Sequence, residues 1–170
     1  MTIPVRAIQK TDVPEACRIL NEIIAAGGTT AFETPFTDDV FAQCYLTGAD
    51  IICCHVALDE TGQVAGFQWL GRNDELPADC ADVATFARRR PLLKGTGRAL
   101  FPVTVKSARK LGFASINATI RADNVPGLSY YAKMGFVDHN VKQDVPLSDG
   151  TLVSRISKRY DVMQDPVRRS

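Results

Sequence analysis

One stretch limits the folds open to this chain more than any other. The apolar run Cys80 to Ala87, CADVATFA, enters a basic, glycine-bearing turn, RRRPLLKGTGRAL (88–100), and then a segment that continues to Leu111 before Gly112. That order predicts a strand leading directly into a helix of about Arg98 to Leu111. At such a junction the first N–H groups of the helix have no intrahelical partners, and together with the helix dipole they attract anions. Glycine at 95 and 97 removes Cβ atoms that would hold a pyrophosphate off the backbone, and it permits positive φ. Lys94 and Arg98 add charge at the rim. A phosphate-bearing ligand fits the stretch, and so does a plain surface turn. The letters exclude two nucleotide motifs: no Lys-Ser/Thr follows either glycine, as a Walker A requires, and Leu100 stands where a dinucleotide fingerprint needs a third glycine.

The rest of the chain supplies the sheet around this junction. Ile3 to Gln9 reads as a strand, and Thr11-Asp12 as the cap of a helix with Ala16, Ile19, Leu20, Ile23 and Ile24 at helical spacing. Gly27-Gly28 stops that helix, a loop TTAFETPF follows, and Thr37 caps a second helix carrying Val40, Phe41, Cys44 and Tyr45. DIICCHVALD and QVAGFQWLGR form a hairpin across Glu60-Thr61-Gly62. FASINATI is a strand, VPGLSYYAKM a short helix ended by Gly135, and two last strands join across Ser148-Asp149-Gly150. The order βααβββαβαββ indicates a single α/β domain with a mixed sheet, spanning 1–162, followed by a loose tail at 163–170.

Composition narrows the function. A net charge of +1 gives the molecule no bulk attraction to nucleic acid or anionic membrane, so anion affinity must be local. The Arg88–Arg90 run is too short, and too poor in aromatics, to argue nucleic-acid binding. Five cysteines without a CxxC read as small buried hydrophobes in a reducing compartment, and two histidines suggest no metal site. No secretory signal and no membrane-length apolar run is visible, so a cytoplasmic location is expected.

A second constellation lies at Ala122 to Phe136, ADNVPGLSYYAKMGF. A strand, a glycine turn and helix, and then Asn124, Tyr131, Lys133, Gly135 and Phe136 in the register N-x-x-[SAG]-x-x-x-Y-x-K-x-G-F together resemble the GNAT superfamily of acyl-CoA N-acyltransferases. The loop TTAFETPFT and the following hairpin are similar to its phosphinothricin acetyltransferase branch, and the likeness spans nearly the whole chain. It implies a mixed, mostly antiparallel central sheet of about seven strands flanked by helices.

The resemblance also implies roles. Acetyl-CoA would be the cofactor, its pyrophosphate held by backbone amides of Leu92, Leu93, Lys94, Gly95, Thr96, Gly97 and Arg98. The strand at Phe86 and Ala87 would run beside the pantetheine and offer a backbone N–H to the acyl carbonyl, while FASINATI splays away to open a slot. Asn124 and Lys133 would contact or shape the coenzyme arm, and Tyr131 would protonate the leaving thiolate. Asp82 falls where relatives carry a carboxylate and is the candidate base; Glu33, acting through water, is the other. Thr30, Phe32 and Glu33 would face a small amine, and Arg72 an acceptor carboxylate; each also reads as ordinary loop or surface chemistry. Trp69 reads as core or dimer surface. The family's Gln or Arg three places before the first glycine is Leu92 here, and Arg88, Arg89 or Arg90 would supply the missing charge.

The expected activity is direct acetyl transfer, in a ternary complex, to the primary amine of an amino acid or analogue of the phosphinothricin or methionine sulfoximine type, by a homodimer. No cysteine lies in either motif to carry the acyl group. The alternatives are acetylation of a protein N-terminus or lysine, a catalytically silent acyl-CoA sensor, or another nucleotide enzyme using the glycine turn.

Overall fold

The computed structural model describes residues 2–164; of the expected tail, 165–170 lie outside the described residues. Seven strands form one sheet in the order β1-β2-β3-β4-β5-β7-β6. They are β1 (Val5–Ala7), β2 (Ile51–Leu58), β3 (Val64–Gly71), β4 (Cys80–Ala87), β5 (Ser115–Arg121), β6 (Val137–Pro146) and β7 (Leu152–Asp161). The helices are α1 (Val13–Ala26), α2 (Asp38–Ala42), α3 (Thr96–Lys110) and α4 (Val125–Met134). Every strand pair is antiparallel except β4–β5. The mixed, mostly antiparallel sheet expected from the sequence is present.

Strand alternation divides the core into two layers. Phe67 of β3 and Phe86 of β4 pack with Ile19, Leu20 and Phe41 of α1 and α2. Leu70 and Val83, on the opposite face of the same strands, pack with Phe101 and Val105 of α3 and Tyr131 of α4. The sheet therefore lies between α1–α2 and α3–α4.

Local chemistry differs from expectation in three places. Asp12 does not cap α1: residues 10–12 form a short 3-10 turn, and the carboxylate accepts the Gln9 N–H (2.7 Å) and two bonds from Arg6 (2.6 and 2.8 Å). Arg6 therefore holds Asp12 below the usual carboxylate range. Thr37 does cap α2, but the helix ends at Ala42 and widens into a π turn over Gln43–Thr47, which turns Cys44 outward to solvent. Cys44 is thus no core hydrophobe, whereas Cys17, Cys54 and Cys80 are buried. Among the described residues no helix is long and apolar enough to cross a membrane.

Candidate active site

The β4–β5 pair shapes the site. These strands pair only at Cys80–Ser115, Ala81–Ile116 and Asp82–Asn117, after which β5 continues beside β7. Residues 83–87 remain paired to β3 alone, so a slot opens along the other edge of β4. Arg88 donates its N–H to the Ala65 carbonyl, which fixes the antiparallel alternation: Phe86 bonds toward β3, and the N–H groups of Thr85 and Ala87 point to the slot. Of the two amides expected to face an acyl carbonyl, Ala87 is placed to do so and Phe86 is not.

A cavity of about 1100 Å³ occupies this slot and the space below loop 29–32. Its wall includes Thr30, Phe32, Arg72, Asp82, Phe86, Ala87, Asn124 and Tyr131. Arg89, one of the three arginines expected to supply the missing charge, also lines it, with Arg121, Arg155, Trp69 and Cys44, which the sequence did not mark as ligand contacts. Glu33 does not: its carboxylate accepts the Ser148 N–H and hydroxyl in the β6–β7 turn (2.6–3.1 Å). Those bonds hold Glu33 below its ordinary range and fasten loop 29–36 across the sheet. Trp69 packs on Tyr45 and walls the cavity, so it belongs to the core margin and the site together.

At the other end of the slot, the start of α3 forms a smaller recess lined by Lys94, Gly95, Gly97, Arg98, Tyr130, Lys133 and Met134. The chain turns through Gly95 at φ +90°, a conformation that glycine adopts without strain. The first helical bond runs from Ala99 to the Gly95 carbonyl, and the N–H groups of Lys94, Gly95, Gly97 and Arg98 find no acceptor among the described residues. Four free donors beside three cationic side chains, in a recess continuous with the cavity through Tyr130 and Gly97, suit a diphosphate.

Two residues of the turn behave otherwise. Thr96 is buried, its hydroxyl donating to the Leu93 carbonyl at 2.7 Å, so it shapes the turn from inside. Leu92 is 61% exposed and lines neither recess. Arg88 cannot replace the absent Gln/Arg charge. It is only 4% exposed and is held by Asp59 (2.9 Å), the Val64 carbonyl (3.3 Å) and the Pro91 carbonyl (2.9 Å). The guanidinium is a strut between the β2–β3 turn and the start of the basic loop.

Tyr131 is buried at the inner end of α4, with its hydroxyl 2.8 Å from Thr85 Oγ1. Burial pushes the phenol well above its ordinary range, so it remains protonated at neutral pH. Gln68, fully buried on β3, donates from Nε2 to Thr85 Oγ1 (2.8 Å) and to the Tyr130 hydroxyl (3.2 Å); Tyr130 donates to the Gly97 carbonyl (2.9 Å). Asn124 caps α4 through the Gly127 N–H (3.0 Å) and ties it to loop 29–32 through the Thr29 carbonyl (3.0 Å). Asp82 receives Asn73 Nδ2 (3.1 Å) and Asn117 Nδ2 (3.0 Å), and Asn117 in turn receives Arg159 Nε (2.9 Å).

No protein-family model matches the chain. In sequence it is similar to YwnH of Bacillus subtilis strain 168, whose name provisionally assigns it as a phosphinothricin acetyltransferase. The two are 27% identical over 159 residues, covering 92% of this chain and 93% of that one. In fold it is similar to the GNAT superfamily phosphinothricin acetyltransferase of Sinorhizobium meliloti in complex with acetyl-CoA: TM-score 0.84 and 21% identity, over 99% of this chain and 93% of that one. A ribosomal-protein-alanine N-acetyltransferase of Brucella melitensis also matches, with TM-score 0.81 and 18% identity, over 93% of this chain and 99% of that one.

Proposed function

We propose, taking the chain as a GNAT-type N-acetyltransferase of the phosphinothricin acetyltransferase kind, that it acetylates the primary amine of an amino acid or amino-acid analogue by direct transfer in a ternary complex. The observation that carries this reading is the open edge of β4. One slot leads from the unpartnered amides of Lys94, Gly95, Gly97 and Arg98 past the Thr85 and Ala87 N–H groups to the buried Tyr131 hydroxyl.

Bound acetyl-CoA supplies an acetyl group activated as a thioester. The residues at hand fit it: the α3 start and its cations match the diphosphate, and the slot matches an extended arm. The N–H of Ala87 is placed to polarise a carbonyl at the bend, as preorganised donors do in acyl transfer. Tyr131 Oη holds the proton that a departing sulfur needs. Asp82, on the α1–α2 face of β4, is oriented by two amides and takes the proton that the amine must lose. Arg72 and Arg155 in the wall suit the carboxylate of an amino-acid acceptor. The five free cysteines fit a reducing cytoplasm, and the exposed edge strand β6, with Val137 and Val141 outward, fits a homodimer.

The test is thiol release from acetyl-CoA over an amine panel containing phosphinothricin, methionine sulfoximine, glutamate and a ribosomal-type N-terminal peptide. Turnover confined to the free amino acids is the expected outcome. Turnover on the peptide alone would replace this acceptor class, and acetyl-CoA binding with no turnover on any amine would make the chain a sensor.

A further inference from the structure

We infer that Thr85, oriented by Gln68, is the positioning residue that leaves the Tyr131 hydroxyl hydrogen free to point into the slot. The inference rests on the reading of Tyr131 as the proton donor and adds what directs that proton.

The argument is a count of hydrogens. Tyr130 gives its hydroxyl hydrogen to the Gly97 carbonyl at 2.9 Å, so the amide group facing its oxygen must be the NH2 end of Gln68. That fixes the second Nε2 hydrogen on Thr85 Oγ1 at 2.8 Å. Thr85 Oγ1 has one hydrogen of its own and two neighbours near enough to take it, the oxygens of Tyr130 and Tyr131. Of the two, only the Tyr131 contact, at 2.8 Å, has hydrogen-bond geometry. Thr85 therefore donates to Tyr131. A phenol oxygen that accepts from Thr85 has its own hydrogen directed elsewhere, and Tyr131 lines the cavity. The same hydroxyl donor stabilises the phenolate left after the proton departs.

Gln68 is the only glutamine of the GFQWL strand segment and is 0% exposed, an expensive place for an amide unless its donors are needed. Its Oε1 is buried without a partner among the described residues, so the NH2 end is where this side chain is satisfied.

Two measurements test the inference. In protein carrying 3,5-difluorotyrosine, whose phenol is more acidic, ¹⁹F titration without acetyl-CoA follows Tyr131, identified by the signal lost in Tyr131→Phe. Thr85→Val should raise the pH at which this signal titrates, and Thr85→Ser should restore it. In turnover, Thr85→Val should lower kcat about tenfold or more with KM for acetyl-CoA unchanged, and add nothing in a Tyr131→Phe background, since residues acting as a unit are non-additive. An unmoved titration, or an equal loss in both backgrounds, overturns the inference and leaves Tyr131 as the acid. Full turnover by Tyr131→Phe removes the underlying reading and this inference with it.

Discussion

The ring of Tyr130 occupies the space that a side chain on Gly97 would need. A Cβ built at Gly97 would stand 2.6 Å from Tyr130 Cε2 and 2.8 Å from Cζ, while the Tyr130 hydroxyl bonds the Gly97 carbonyl. This glycine therefore serves the junction of α3 and α4 and not only the approach of a phosphate. Gly97→Ala should destabilise the protein by about 1–3 kcal/mol, the usual cost of overpacking. It should also raise KM for acetyl-CoA, because the displaced ring lies between the two recesses. Thermal unfolding checks it. Adding Tyr130→Leu should recover part of the lost Tm, whereas a Gly97→Ala protein with unchanged Tm would mean that the ring yields freely.

The cations near this turn divide into two kinds. Lys94, Arg98 and Lys133 are exposed around the smaller recess, whereas Arg88 is buried against Asp59. Exposed ion contacts contribute about 0.2–1 kcal/mol each, so single alanine substitutions at the first three should raise KM for acetyl-CoA by up to about fivefold with kcat intact. The effect should shrink at high salt. Arg88→Met should do the reverse: it leaves the Asp59 carboxylate and two carbonyls without their donor, so Tm falls while KM in the surviving fold holds. Steady-state kinetics at two ionic strengths, beside a melting curve, separates the two kinds.

Those two groups also mark how far the sequence could be read. The element order and the Asn124–Phe136 register were legible because they follow from local periodicity, caps and glycine stops. Which of three consecutive arginines turns inward was not legible. Pairing with β3 puts Arg88 beside Ala65, and that is a non-local fact. Glu33 was misplaced for the same reason: its partner, Ser148, is 115 residues away. Gln68 did carry a signal that went unread, a long amide amid GFQWL, where a β strand buried on both faces has room for it only if its hydrogens are satisfied.

Asp82 is the base only if its carboxylate, not merely its shape, is required. Asp82→Asn keeps the size but turns an acceptor into a mixed group between two Asn donors. General base catalysis contributes roughly 10²–10⁴-fold, so kcat/KM for the amine should fall by about 10² or more. A variant that keeps the wild-type kcat/KM would assign the amine proton to another group, and Asn117→Ala then tests whether the amide network only holds the strands together.

His55 gives the fold a pH dependence separate from catalysis. It sits on β2, and its Nδ1 is buried without a hydrogen-bond partner among the described residues. Burial lowers its pKa, since the charged imidazolium loses hydration and gains no acceptor at that nitrogen. The unfolded chain therefore binds this proton more readily than the folded one. Stability from this group is complete above the ordinary imidazole value of about 6.5 and declines as pH falls below it toward the depressed folded value. Melting curves from pH 8 to pH 5 should show Tm falling through the lower part of that range. His55→Val, which keeps an apolar strand residue there, should flatten this part of the curve and leave the region above pH 7 unchanged. A wild-type slope that persists in the variant would place the responsible proton elsewhere.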